Sequence, residues 1–483
     1  MSLCCKQLIW AFVILIGSIN FGEVVSFPSA SSHQIMPLHG LTKTDLKWSF
    51  YNAVASLIGI FGPFCTQMIL KIVKQSRKKT IFIIAVYASC IWLVNMIVKF
   101  SIWAGIVARA MIGLAGGAFS SICPMYVVEI APPEARGFFG CLPEAGIILG
   151  EVLVNFLGTP LGYLGLCGFN SCLALVLAIL ICFIPESPAL LVLERKQQQK
   201  ALTENDDSDE TKVKVSLWQL KYIKCLLTGC GTAIFQQFSG IGPITANLST
   251  IMSESGLHID SNYQAGIASL GQFLATFMGG GIIDKIGRKR TWILSNIGII
   301  TFLIILALNI KYNWSTYIPL VVILIYMVFY AWGVGPIPWF IMPEYFPAEV
   351  RAQGTNVASS VSWATQFVWV FVWPIIVKSM GEFGGFLFFA CCSVVSVFFG
   401  FFCIYEPPPL EVVTDSEKAH LREIEENSTN SCNNERKDGH VKAKLAKKNR
   451  IENRTNIDDN LDEEIEENYN SNGEIIIDNP TEL

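Results

Sequence analysis

Charge is scarce in this chain. Asp, Glu, Lys and Arg make up 15% of its 483 residues, against about a quarter in ordinary soluble domains. A chain so poor in charge cannot cover its surface if water is the only solvent. The 15 cysteines include no Cys-x-x-Cys pair and no Cys/His ligand spacing, only single residues and the adjacent pairs Cys4-Cys5 and Cys391-Cys392. That excludes a disulfide framework and a zinc site, and leaves small buried hydrophobes. No Gly-x-x-x-x-Gly-Lys loop is present, so nothing in the chain cradles a nucleotide phosphate. Metal-ligand clusters and nucleophile constellations are equally missing, which argues against an enzyme and against any cofactor or metal. The net charge of −4 offers nothing to nucleic acid.

Apolar sequence is abundant instead: 52% of residues are hydrophobic and mean hydropathy is +0.47. About 20 mostly apolar residues cross a bilayer as a helix. Such segments fall near 8–27, 50–72, 80–98, 102–128, 138–158, 163–184, 221–250, 263–283, 290–310, 317–342, 353–378 and 383–404. The first could also be read as a signal peptide, with Lys6, an apolar run and Ser29-Ala30-Ser31, but its removal would leave the first half one helix short. Lys/Arg-rich loops recur at Lys74 to Lys79, around Arg136, after Arg195, at Lys285 to Arg290 and around Arg351. Every second loop is therefore basic, which places both termini in the cytoplasm. The sequon Asn313-Trp314-Ser315 then falls outside, while those at Asn427 and Asn453 stay inside.

The expected organisation is 1–188 and 221–406 as two six-helix bundles, 189–220 as a polar cytoplasmic linker, and 407–483 as a disordered tail. The tail carries a basic patch, Lys442 to Arg450, and an acidic block, Asp458 to Glu467. It reads as a solvated segment, with contact to anionic lipid or a scaffold protein as the alternative.

The halves repeat one another. Glu129-x-x-Pro132-x-Glu134-x-Arg136 matches Glu344-x-x-Pro347-x-Glu349-x-Arg351 at an offset of 215 residues. Arg77-Lys78-Lys79-Thr80 matches Arg288-Lys289-Arg290-Thr291 at an offset of 211. Pro185-Glu186-Ser187-Pro188 has a weaker echo in Tyr405-Glu406-Pro407-Pro408. Parallel repeats of six helices are a transporter plan, with the cargo site between them at the midplane. Glu129, Arg136, Asp284, Arg288, Glu344 and Arg351 all fall at helix ends on one side, where opposite charges would pair as a breakable cytoplasmic gate. The plainer reading gives them only topology and capping roles, which would not need the glutamates.

The motifs Arg109 with Gly113, Glu129 to Gly137, Pro185-Glu186-Ser187-Pro188, Gln236-Gln237-Phe238-Ser239-Gly240, Asp284-x-x-Gly287-Arg288-Lys289 and Gly335-Pro336-Ile337-Pro338-Trp339-Phe340 resemble the sugar porter family of the major facilitator superfamily. The pattern is close to the facilitative glucose transporters over about residues 8–406. The resemblance implies an all-α membrane protein of twelve transmembrane helices in two pseudo-symmetric bundles. It implies a plasma-membrane carrier for a hexose, working by facilitated diffusion and alternating access. Proton–sugar symport is the close alternative, and a sugar sensor that does not transport is the alternative of another class.

Carboxamides donate and accept, as sugar hydroxyls do, so Gln236 and Gln237 lead the candidate binding residues; helix–helix hydrogen bonding is their plainer role. Trp339, beside helix-breaking Gly335, Pro336 and Pro338, offers an aromatic face to a sugar ring. Trp363 and Gln366 in span eleven, and Gln272 in span eight, complete the expected set with Glu144. Trp363 serves equally as pocket wall or as packing.

Several positions depart from the family pattern. Gly242 stands where an asparagine is usual, Ala246 and Asn247 replace paired aromatics, and Ala331 replaces a glutamate. Glu144 stands where the family has a glutamine. A carboxylate inside a membrane marks function by default, and Glu144 has three readings: neutral sugar ligand, proton-coupling site, or structural partner, for example of Arg109. Glu23 and Glu151 pose the same question. The charge pattern yields a direct test of topology. An epitope at either terminus should bind antibody only after permeabilisation, and labelling of either end on intact cells would contradict the assignment.

Overall fold

The computed structural model describes residues 3–131, 136–187, 219, 222–346 and 350–405. Almost all of the polar linker, and the tail with its basic patch, lie outside the described residues. The chain divides after Pro407, and every described residue belongs to the first unit.

The described residues are helical, as lipid requires: without water, each backbone N–H and C=O must find its partner within the segment. In order the helices are α1 (Leu3–Leu38), α2 (Leu46–Gly59), α3 (Gly62–Ile72), α4 (Arg77–Val94), α5 (Ile102–Ile130), α6 (Arg136–Leu180), α7 (Ile223–Phe238), α8 (Ile241–Ala246), α9 (Leu248–Ser253), α10 (Ser261–Ile286), α11 (Arg288–Tyr312), α12 (Ile318–Trp332), α13 (Ile337–Tyr345) and α14 (Arg351–Cys403). Among the described residues nine stretches are long and apolar enough to span a membrane.

Two of those nine are hairpins. A straight helix of 45 residues, the length of α6, would run about 68 Å, over twice the hydrocarbon thickness. It turns back at Gly162, whose φ of 61° and ψ of 177° suit a residue without Cβ. The Gln34 side chain caps the corner, its Oε1 accepting from Tyr163 N at 2.9 Å. Both ends of α6 consequently meet α5: Arg136 follows it closely in sequence, while Tyr126 donates to Pro185 O and Ser187 to Glu129. The 53-residue α14 folds in the same way at Gly381, with φ 70°, and Tyr345 stacks on Tyr405 with ring centroids 4.3 Å apart.

Two further spans are broken: 221–250, which reads as one apolar run, and 317–342, where Gly335, Pro336 and Pro338 predict the break. The first breaks into α7, α8 and α9, because Gly240 takes φ 88° and Pro243 follows within one turn. Tyr326 repairs the break by donating to Ser239 O at 3.1 Å. The second parts between α12 and α13 at the Gly333–Pro336 stretch, where Val334 N finds Ser295 Oγ at 3.1 Å.

Two buried apolar cores fill the bundles. One draws on residues between Ala11 and Ile184, the other on residues between Ile241 and Ile404. Trp363 of α14 is the exception, packing into the first core from the second half. Large apolar side chains such as Phe82 and Ile83 on α4, or Phe398 and Phe402 on α14, stay exposed and suit a lipid-facing surface.

Close helix contact depends on small residues. A Cβ on Gly113 would lie 2.1 Å from the Ala55 carbonyl oxygen, backbone against backbone, with no flexible side chain to give way. Gly113→Val should therefore destabilise the protein by at least about 1–3 kcal/mol, read as a lowered melting temperature in detergent. An unchanged melting temperature would mean that α2 and α5 do not pack as described.

Candidate functional site

A cavity opens where the two halves meet, lined by residues of both. All seven residues expected from the sequence line it: Glu144 of α6, Gln236 and Gln237 of α7, Gln272 of α10, Trp339 of α13, and Trp363 and Gln366 of α14. Glu151, Thr245, Tyr330 and Ser362 join them. Of these four, only Glu151 stood out in the sequence. It lies seven residues, two helical turns, after Glu144, and so shares its face. Tyr330 and Ser362 carry no local pattern that separates them from other polar residues in spans.

The broken helices aim these groups. Gln236 Nε2 donates to Gly335 O at 2.7 Å, occupying a carbonyl that the α12–α13 break sets free. Gln237 Nε2 reaches Ser362 Oγ at 3.3 Å, while its Oε1 has no partner among the described residues. The Gln272 Oε1 is likewise buried without a donor. Thus each glutamine of α7 spends one N–H on the fold, and Gln237 keeps its carbonyl oxygen for the cavity.

Trp363 does both things the sequence left open. It lines the cavity, and its indole donates to Ser120 Oγ of α5 at 3.1 Å while its ring lies 4.9 Å from that of Phe21. A Cβ on Gly59 would fall 2.6 Å from this ring, so glycine makes the socket that receives it.

Glu144 sits beside the Trp339 indole, and near Gly335. Arg109 is not its partner. That guanidinium is buried between the rings of Phe27 and Tyr51, 5.8 Å from each centroid, and forms no ion pair among the described residues. Glu23 is also fully buried, with neither carboxylate oxygen partnered among the described residues, and it does not line the cavity.

At the face that holds the basic loops, Arg77 is the hub. Its guanidinium binds Glu129 at 3.0 Å and its backbone N–H donates to Glu186 at 2.9 Å; Ser76 and Ser187 add hydrogen bonds to the same carboxylates. Glu129 therefore pairs within the first half, with a residue that the sequence repeat marked but the expected gate did not include. Arg288 opens α11. The side chains of Arg136, Asp284, Glu344 and Arg351 lie outside the described ones.

The opposite face carries a polar seam between the halves. Lys43 bridges Glu254 and Glu382, His33 Nε2 lies 2.8 Å from Ser261 Oγ, Asn52 donates to Asn247 at 3.3 Å, and Ser249 N donates to Ser29 Oγ at 2.8 Å. Asn247 stands where the family pattern has an aromatic residue, so hydrogen bonding replaces ring packing there.

Residues 11–408 match the family described as "Sugar (and other) transporter". A facilitated trehalose transporter of Polypedilum vanderplanki is 28% identical over 83% of this chain and 85% of its own. A probable metabolite transport protein of Bacillus subtilis is 29% identical over 75% of this chain and 85% of its own. The fold is shared with the xylose transporter of E. coli in a partially occluded, inward-open conformation. That structure superposes with a TM-score of 0.68 at 18% identity, covering 84% of this chain and 100% of the other.

The Arg77 hub generates a measurable coupling. Side chains of Arg77 and Glu129 are 14% and 18% exposed, so removing one strands the other partly buried. Arg77→Ala should cost about 1–3 kcal/mol of stability, and adding Glu129→Ala should recover part of that loss in a double-mutant cycle. Strict additivity would mean the pair contributes nothing.

Proposed function

Because the chain belongs to the Sugar (and other) transporter family, a family of membrane transporters and not of enzymes, we propose that it carries a small neutral sugar by alternating access and facilitated diffusion. A hexose of glucose-like shape is the first candidate. The facilitated trehalose transporters among its relatives extend the range to a disaccharide of glucose. The observation that carries this reading is the meeting of four glutamines and two indoles around one cavity between the halves. Amide oxygens accept from sugar hydroxyls, and Trp339 offers a flat apolar face to the ring.

In this reading the bundles 1–188 and 221–406 rock about the cavity, with both termini in the cytoplasm of a plasma-membrane protein. The polar seam around Lys43, His33 and Asn247 is the outer gate, closed here. Glu129, Arg136, Asp284, Arg288, Glu344 and Arg351 form the inner gate, which tightens when the outer one opens. The links are individually modest, with exposed pairs worth up to ~1 kcal/mol, and a gate must be breakable.

A second reading, proton–sugar symport, is favoured by one observation: Glu144 and Glu151 both face the cavity. Uptake that collapses with a protonophore would select it, and uptake indifferent to a protonophore would exclude it.

The site itself is tested by uptake in cells lacking hexose transport, with a panel of competing sugars. Gln236→Ala removes both a cavity amide and the tie to Gly335, and should lower uptake by about tenfold or more, as for the loss of one well-made polar contact. Normal uptake by this variant would place the binding site elsewhere.

A further inference from the structure

Among the described residues, the buried polar atoms of the cavity wall that lack a partner are mostly acceptors: Gln237 Oε1, Gln272 Oε1 and Glu151 Oε2, against the one indole N–H of Trp339. One N–H of Gln236 and one of Gln237 are committed to Gly335 O and Ser362 Oγ, and the Trp363 indole to Ser120. The Oε1 atoms of Gln237 and Gln272, and Oε2 of Glu151, line the same space with no donor among the described residues. Gln237 is 7% exposed, Gln272 2% and Glu151 6%. A buried acceptor left unmet costs about 1–3 kcal/mol, and an unpaired buried carboxylate more.

The wall is also one-sided in charge. Glu144 and Glu151 face inward from α6, and among the described residues no Lys, Arg or His lines the cavity. The buried Arg109 is held between two rings and is not among the lining residues. Two carboxylates and a surplus of amide oxygens call for a ligand that brings donors and positive charge together. A hydroxyl offers one O–H donor along with two acceptor lone pairs. An ammonium offers three donors, no acceptor and a full charge.

We propose that the cavity prefers a cationic sugar, a hexose in which a protonated amine replaces one hydroxyl, with the ammonium held by Glu151 and Glu144 and the remaining hydroxyls by the glutamines. The inference rests on the sugar-transport reading and narrows its substrate class. The glutamate at 144, where the family pattern has a glutamine, supplies the charge that a neutral hexose does not need.

The test is counterflow by the purified full-length protein in liposomes at about pH 6.5, below the ordinary range of an α-amino group. The labelled sugars are D-glucosamine, N-acetyl-D-glucosamine, D-glucose and trehalose. Glucosamine should exchange with an affinity on the order of tenfold better than glucose or N-acetylglucosamine, the effect of one desolvated charge pair. Glu151→Gln should bring that ratio toward one. Should this variant not fold, the wild-type ratio decides alone. Glucose or trehalose exchanging as well as glucosamine would overturn the cationic preference and leave sugar transport standing. No exchange of any of the four would overturn both.

Discussion

The hydrogen bond from Gln236 to the Gly335 carbonyl is the contact on which the central site depends. Lipid tolerates a broken helix only where the freed backbone groups find partners or line a cavity. Here two helices break at one depth, α7–α8 at Gly240 and α12–α13 at Gly333 to Pro336, and each is mended from the side. Tyr326 serves the first break; Ser295 and Gln236 serve the second. The repair fixes the direction of Gln236 and places Trp339 at the start of the resumed helix. Recognition chemistry and fold repair thus share the same side chains, which is why removing one amide disturbs both.

The halves touch in two different ways. Beside the cavity, Trp363 inserts into a glycine-lined socket of the first bundle and ties its indole to Ser120. At the face opposite the basic loops the contacts are hydrogen bonds and a lysine shared by two glutamates. A ring tied into a close-fitting socket keeps the halves together at that level, whereas a polar seam can exchange its partners for water when it parts. That division suits a rocking motion in which one face opens while the middle stays packed.

Most of the architecture was legible in the sequence, because hydropathy reads spans directly and the repeated acidic and basic motifs fix their pairing into halves. The hairpins at Gly162 and Gly381 followed from span length alone. A continuous helix at 221–250 was not correct, since hydropathy averages over a Gly-Pro break without registering it, whereas the break within 317–342 was legible in Gly335, Pro336 and Pro338. All seven expected cargo residues line one cavity, yet Tyr330 and Ser362 escaped notice, as isolated polar residues in apolar spans look alike until packing selects a face. Arg77 was visible as part of a repeat, but its role as the partner of Glu129 required knowing that the end of α6 returns to α5. For Glu144 the structure changes the partner and leaves the three readings in place: Arg109 is held by aromatic rings, and Trp339 is the neighbour instead.

The claim with most weight is that the cavity is reached from the two faces in turn, with the polar seam parting each cycle. The Oγ atoms of Ser32 and Thr250 lie 3.4 Å apart across that seam. Cysteines at both positions, bridged by oxidation or a short bifunctional thiol reagent, would hold it shut. The account predicts that sugar uptake stops on bridging, returns on reduction, and is unaffected by the same treatment of either single-cysteine variant. Uptake continuing at its full rate through a covalently closed seam would contradict it.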